Sequence, residues 1–80
     1  MGQAQNTNTF LFPNLKTEIF RLRSNIVEFS QKLGISDRTL YHKMNGKQEF
    51  KLEEMIKIKE IINEELGTDY TLDYLFKKDN

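Results

Sequence analysis

The sequence predicts an all-α domain of five short helices, and three observations carry that expectation. Apolar residues recur at three- and four-residue intervals from Leu15 to Phe76 and nowhere alternate with period two over a useful length. Amphipathic stretches stop at glycine, at Gly34, Gly46 and Gly67. Residues able to cap a helix start, Asn25, Ser36 and Thr71, stand ahead of three of the stretches.

The first element opens after Pro13. Leu15, Ile19 and Leu22 are spaced i, i+4, i+7 with Phe20 beside them, which fits a helix over about 15 to 22. Asn25 and Glu28 have capping-box spacing at the start of a second helix, which carries Ile26, Phe29 and Leu33 on one face, flanked by Val27. It ends at Gly34. Ile35 alone separates that glycine from Ser36, the N-cap of a third helix, so Ile35 and Leu40 take the two places of a hydrophobic staple. Leu40 and Met44 are the buried pair of this helix, and Asn45-Gly46 stops it. Two short helices joined by a tight glycine turn make a helix-turn-helix, with the motif over 25–46.

A fourth helix is expected over about 52 to 65. Leu52, Met55, Ile56, Ile58, Ile61, Ile62 and Leu66 form a broad apolar stripe, with Glu53, Glu54, Lys57, Glu60 and Glu64 outside it. Thr71 caps a last short helix holding Leu72, Leu75 and Phe76, with Tyr74 at its edge. This apolar "LDYLF" segment either closes the core against the first and fourth helices or forms a dimer surface together with part of the isoleucine stripe.

Eighty residues make one domain at most. Residues 1–9 carry no charge and no large apolar group after Met1, so 1–11 is expected as a disordered tail and 12–80 as the domain. A core drawn from about 65 residues is marginal by itself. The chain has no cysteine and one histidine, which rules out a disulfide and argues against a structural zinc site. Pairing of two copies is the remaining stabiliser, hence an expected homodimer. No apolar run approaches the roughly 20 residues of a membrane span, and no secretory signal opens the chain, so a cytoplasmic protein is expected.

Net charge is zero, but its distribution is not even. Residues 15–47 hold seven cations, Lys16, Arg21, Arg23, Lys32, Arg38, Lys43 and Lys47, against Glu18, Glu28 and Asp37, a balance of +4. Residues 48–80 hold five lysines against nine carboxylates, a balance of −4. A basic half containing a helix-turn-helix points toward a polyanion.

The stretch "FSQKLGISDRTLYHKMNGK" resembles the helix-turn-helix of the Cro and phage-repressor (XRE-like) family, whose pattern is L-A-x-K-L-G-I-S-x-x-T-L followed by N-G-K. Phe29, Ser30, Lys32, Leu33, Gly34, Ile35, Ser36, Thr39, Leu40, Asn45, Gly46 and Lys47 fill those places. The flanking "FPNLKTEI", "EFKLEEMIKI" and "LDYLF" are similar to small phage-borne regulators of Gram-positive bacteria, so the resemblance spans about 12–76. It implies a five-helix lambda-repressor-like DNA-binding domain. Three positions depart from the pattern. Ser30 replaces alanine at a close helix approach, so its hydroxyl must bond back to the helix or reach water. Ile26 stands where many relatives carry a phosphate-contacting glutamine. Lys51 offers no side-chain cap to the fourth helix.

In such a fold the third helix enters the major groove. The resemblance then places Asp37, Arg38, Tyr41 and His42 at base edges, and Asn25, Ser36, Thr39, Lys43, Asn45 and Lys47 near phosphates. Arg38 is the strongest reader, because a guanidinium bonds bidentately to guanine O6 and N7. Plainer roles stand beside these: an Asp37–Arg38 ion pair, Ser36 and Thr39 as cap and first turn, Tyr41 packed on the adjacent helix, and His42, Lys43 and Lys47 simply solvated. Double-stranded DNA is the expected partner, bound by a homodimer as a transcriptional repressor. The alternative is a helix-turn-helix scaffold reused for protein binding, as an anti-repressor or modulator of another regulator. No glycine-rich phosphate loop, cysteine nucleophile or paired-carboxylate spacing points to an enzyme, and no cofactor, metal, small-molecule substrate or membrane is expected.

Overall fold

Residues 11–22 and 26–78 are described by the computed structural model. Among them five helices follow in order: α1 (Pro13–Arg21), α2 (Ile26–Leu33), α3 (Asp37–Met44), α4 (Leu52–Leu66) and α5 (Leu72–Leu75). No strand occurs among these residues. The described residues form the all-α, five-helix domain that the spacing predicts.

α1 starts at Pro13, earlier than the apolar spacing alone indicates. Proline suits a first helical position, because its fixed φ is helical and its missing N–H has no intrahelical partner to lose. The helix stops at Arg21, where Leu22 turns to an extended conformation. Leu15, Ile19 and Leu22 meet Phe29 and Leu33 of α2, Leu40 and Met44 of α3, Ile58 and Ile62 of α4, and Leu75 and Phe76 in one core. Phe12, Phe50 and Phe76 pack edge to face or tilted, with centroids 5.3–5.8 Å apart. Behind the Gly46 turn they border a cavity of about 350 Å³, lined also by Leu11 and Met55.

α5 packs on α1 and α4, so "LDYLF" closes the core. A polar seam accompanies it. The Tyr74 hydroxyl donates to Oε2 of Glu18, which is 1 % exposed, at 2.8 Å, and the Asn14 amide donates to the Tyr74 carbonyl at 3.0 Å. Arg21 Nε lies 3.6 Å from the other Glu18 oxygen. The hydrogen bond to Glu18, with burial adding to it, raises the Tyr74 hydroxyl above the usual phenol range. Asn63 ties down the α4–α5 loop: its Oδ1 accepts from Thr68 Oγ1 and the Tyr70 N–H, and its Nδ2 donates to the Tyr70 carbonyl.

The α4 stripe divides. Ile58 and Ile62 are fully buried, whereas Leu52 is 64 % and Ile56 40 % exposed. Those two pairs lie about 120° apart round the helix, and the core covers only one side. No helix among the described residues is long and apolar enough to cross a membrane.

Leu11, expected in the tail, belongs to the fold. Its N–H donates to the Met44 carbonyl at 2.9 Å, and its side chain covers the Gly46 turn. Asn25, expected to cap α2, lies outside the described residues.

Gly34 and Gly46 both have left-handed φ, 81° and 88°. An added Cβ meets nothing within 4 Å at Gly34, but falls 3.0 Å from Leu11 Cδ2 at Gly46. Gly34→Ala is expected to cost about 1–2 kcal/mol of backbone strain, and Gly46→Ala more, because Leu11 must also move. Urea unfolding of the two variants measures this; equal losses would show that Leu11 gives way freely.

Candidate nucleic-acid interface

The outer face of α3 is set by how α2 ends. Ser30 is 2 % exposed, and its hydroxyl bonds back to the Val27 carbonyl at 2.7 Å, so a polar side chain fits at the close approach. The last carbonyls of α2 are then satisfied by the turn itself. Ile35 N–H donates to Ser30 and Gly34 N–H to Gln31, each at 3.1 Å, a pairing that needs the left-handed Gly34.

Ser36 starts α3 at once. Its Oγ accepts the Thr39 N–H at 3.0 Å and lies 2.9 Å from Thr39 Oγ1. The first turn thus consumes much of the hydrogen-bonding capacity of both hydroxyls. Asp37 Oδ1 accepts the Arg38 N–H at 3.0 Å, and its negative charge suits the positive end of the helix. Among the described residues no carboxylate is paired with the Arg38 guanidinium, so the Asp37–Arg38 ion pair is not made.

The other end closes in the same manner as α2. Lys47 N–H donates to the His42 carbonyl at 2.8 Å and Gly46 N–H to Lys43 at 3.2 Å. α3 is therefore an eight-residue helix with both ends bonded. At about 100° per residue, Arg38, His42 and Asn45 form one stripe facing away from Leu40 and Met44. Arg38 is exposed, His42 and Asn45 are half-buried, and Tyr41 flanks them at 41 % exposure. Lys47 stands exposed just beyond. Oδ1 of Asn45 is buried without a hydrogen-bond partner.

Lys43 does not lie where the resemblance puts it. It is 7 % exposed, and its Nζ lies 2.6 and 2.7 Å from the two carboxylate oxygens of Glu54 on α4. Lys43 follows Thr39 by one turn on the flank of α3 nearer the core, where a buried ammonium needs a carboxylate. Glu54 also accepts the Lys51 N–H at 2.9 Å. It stands at the third position of α4 and reaches back to the N-cap amide, while Lys51 itself, having no acceptor, caps nothing. Burial pushes the Glu54 carboxyl up, but the Lys43 ammonium and the Lys51 N–H outweigh it and hold the group below its ordinary value.

Two further cations of the basic half are also engaged. Lys32 pairs with Glu65 of α4, and Arg21 with Glu18. Asn25, the sixth expected phosphate contact, and Arg23 fall outside the described residues. The sequence reading missed Glu18 and Glu54, because a carboxylate's distant partner leaves no trace in local spacing. Among the described residues no three histidine, cysteine, aspartate or glutamate side chains gather to hold a metal ion.

No protein-family model, curated protein or solved structure matches the chain.

A depressed carboxylate contributes stability that is complete above its ordinary pKa and is lost as pH falls through the lower folded value. The urea midpoint of the protein is therefore expected to fall on acidification from neutral pH to about pH 3, and Glu54→Gln to be less stable at neutral pH and less sensitive to acid. Parallel acid curves for the two proteins would remove Glu54 as a source of the dependence.

Proposed function

We propose that this chain is a sequence-specific DNA-binding transcriptional regulator, a cytoplasmic phage or prophage repressor of the Cro-like kind. The observation that carries the reading is the outward stripe of α3: Arg38 and His42 on a helix bonded at both ends, with Tyr41, Asn45 and Lys47 beside it. In the major groove such a helix meets base edges through its amino-terminal residues. Arg38, with no carboxylate partner among the described residues, is the reader of guanine, and Asp37, Tyr41 and His42 are its neighbours at the bases. Lys47 is the backbone anchor. Ser36 and Thr39 approach phosphate only with the capacity left by their structural bonds, and Asn45 only through its amide nitrogen, since its Oδ1 is buried. Repression follows from occupying a promoter.

The same reading includes a homodimer on an inverted repeat with half-sites about 34 Å apart. With Leu75 and Phe76 buried in the core, Leu52 and Ile56 are the part of the isoleucine stripe left for a second copy.

A second reading, a scaffold that docks on another regulator, is favoured by the internal pairing of Lys32, Lys43 and Arg21, which leaves the face less cationic than its composition. Retention on random duplex at low salt separates the two. The protein-docking reading predicts none.

Selection of bound duplexes from random oligonucleotides is the direct test, and recovery of no enriched sequence would end the proposal. On a selected duplex, Arg38→Ala is expected to cost about 1–3 kcal/mol and to relax base preference. Lys47→Ala should weaken selected and random duplexes alike and flatten the salt slope by about one unit. Sedimentation of Ile56→Glu, expected to shift a dimer to monomer, checks the pairing surface; an unchanged dimer places that surface elsewhere.

A further inference from the structure

Resting on the DNA-binding reading, we infer that Glu54 sequesters the Lys43 ammonium, making Lys43 a positioning residue of α3 and keeping one cation off the DNA-facing surface. Both carboxylate oxygens of Glu54 lie within 2.7 Å of Nζ. The side chains are 8 % and 14 % exposed, so water competes little for either charge. Glu54 cannot swing outward with the lysine, because its Oε1 is also held by the Lys51 N–H at the start of α4. For Lys43 to reach a phosphate it must leave a largely buried carboxylate behind, which is strongly unfavourable.

Two consequences follow. The pair joins α3 to α4, adding to the contact of α3 with α2 and to the Leu11–Met44 bond, so the rotation of the outward stripe is fixed from more than one side. It also withholds a charge that attracts every DNA sequence equally. Phosphate attraction carries no sequence information, so hiding one cation lowers the background against which Arg38 discriminates. Glu54, on a helix outside the helix-turn-helix, thereby shapes specificity without facing DNA.

The test measures binding of the full chain to a selected and a random duplex across a salt series, with circular dichroism to confirm folding. The double variant Lys43→Met/Glu54→Met removes both charges and leaves neither orphaned. Its salt slope should equal that of the unmodified chain, while its preference for the selected duplex falls several-fold as α3 loses its tether. Glu54→Gln frees the ammonium, so the slope should steepen by about one unit and random-duplex affinity rise. A slope flattened by about one unit in the double variant would mean that Lys43 touches phosphate, and would overturn the inference while leaving the DNA reading intact. An unchanged slope in Glu54→Gln overturns the masking, and an unchanged preference in the double variant overturns the positioning. Failure of the unmodified chain to bind either duplex is a different result: it removes the DNA reading and this inference with it.

Discussion

The outer face of α3 inherits its direction from the way α2 ends. Two helices are joined by Gly34, Ile35 and Ser36 alone, which is possible because Gly34 takes a left-handed φ of 81° that leaves its own N–H and that of Ile35 aimed at the last carbonyls of α2. Ser30 turns its hydroxyl onto the Val27 carbonyl, so a polar group can be buried at the approach. Ser36 then begins α3 by accepting the Thr39 N–H. Each of these bonds contributes only about 0.5–1.5 kcal/mol net. They lie close together along the chain, however, and jointly set the direction of the helix that carries Arg38 and His42.

Part of the charge asymmetry of the sequence is taken up by contacts within the fold. The acidic half folds onto the basic half, and Lys32–Glu65 and Lys43–Glu54 join the two helices of the motif to α4. These two pairs are not equivalent. The more exposed Lys32 pair is worth little in water, whereas the Lys43 pair is nearly enclosed and is fixed further by the Lys51 amide. On the reading proposed above, pairing Lys32 and Lys43 with α4 leaves base contacts a larger share of the affinity. Salt sensitivity should be correspondingly mild for a helix-turn-helix protein.

α5 shows how a four-residue helix persists. Too short to be stable alone, it is held by the burial of Leu75 and Phe76, by the Thr71 cap, and by the Tyr74–Glu18 and Asn14–Tyr74 bonds to α1. A carboxylate that is 1 % exposed is tolerated there because a phenol donates to one oxygen and Arg21 stands near the other. Spending the last apolar segment on the core leaves Leu52 and Ile56 as uncovered apolar area on α4.

Helix starts and stops were legible in the sequence. Ser36, Thr71, Gly34, Gly46 and Gly67 act where their residue types predict, and Phe29, Leu33, Leu40, Met44, Ile58 and Ile62 are buried as their spacing predicts. Caps and glycine stops are bonds between residues at most five apart, and apolar period follows from helix geometry, so both are written locally. The fate of individual charges was not legible. Lys43 reads from spacing as a surface lysine, Glu54 as part of a solvated face, and Glu18 as one of three acids in a basic half; each found its partner 11 or 56 residues away. Leu52 and Ile56 likewise read as part of one apolar stripe, though the packed helices cover only the side of α4 that carries Ile58 and Ile62. Local spacing thus marks which segments are helical and where the glycine stops fall. Tertiary structure alone decided which cations are spent inside and which face outward, because a charge's partner is chosen by proximity in space, which local spacing does not encode.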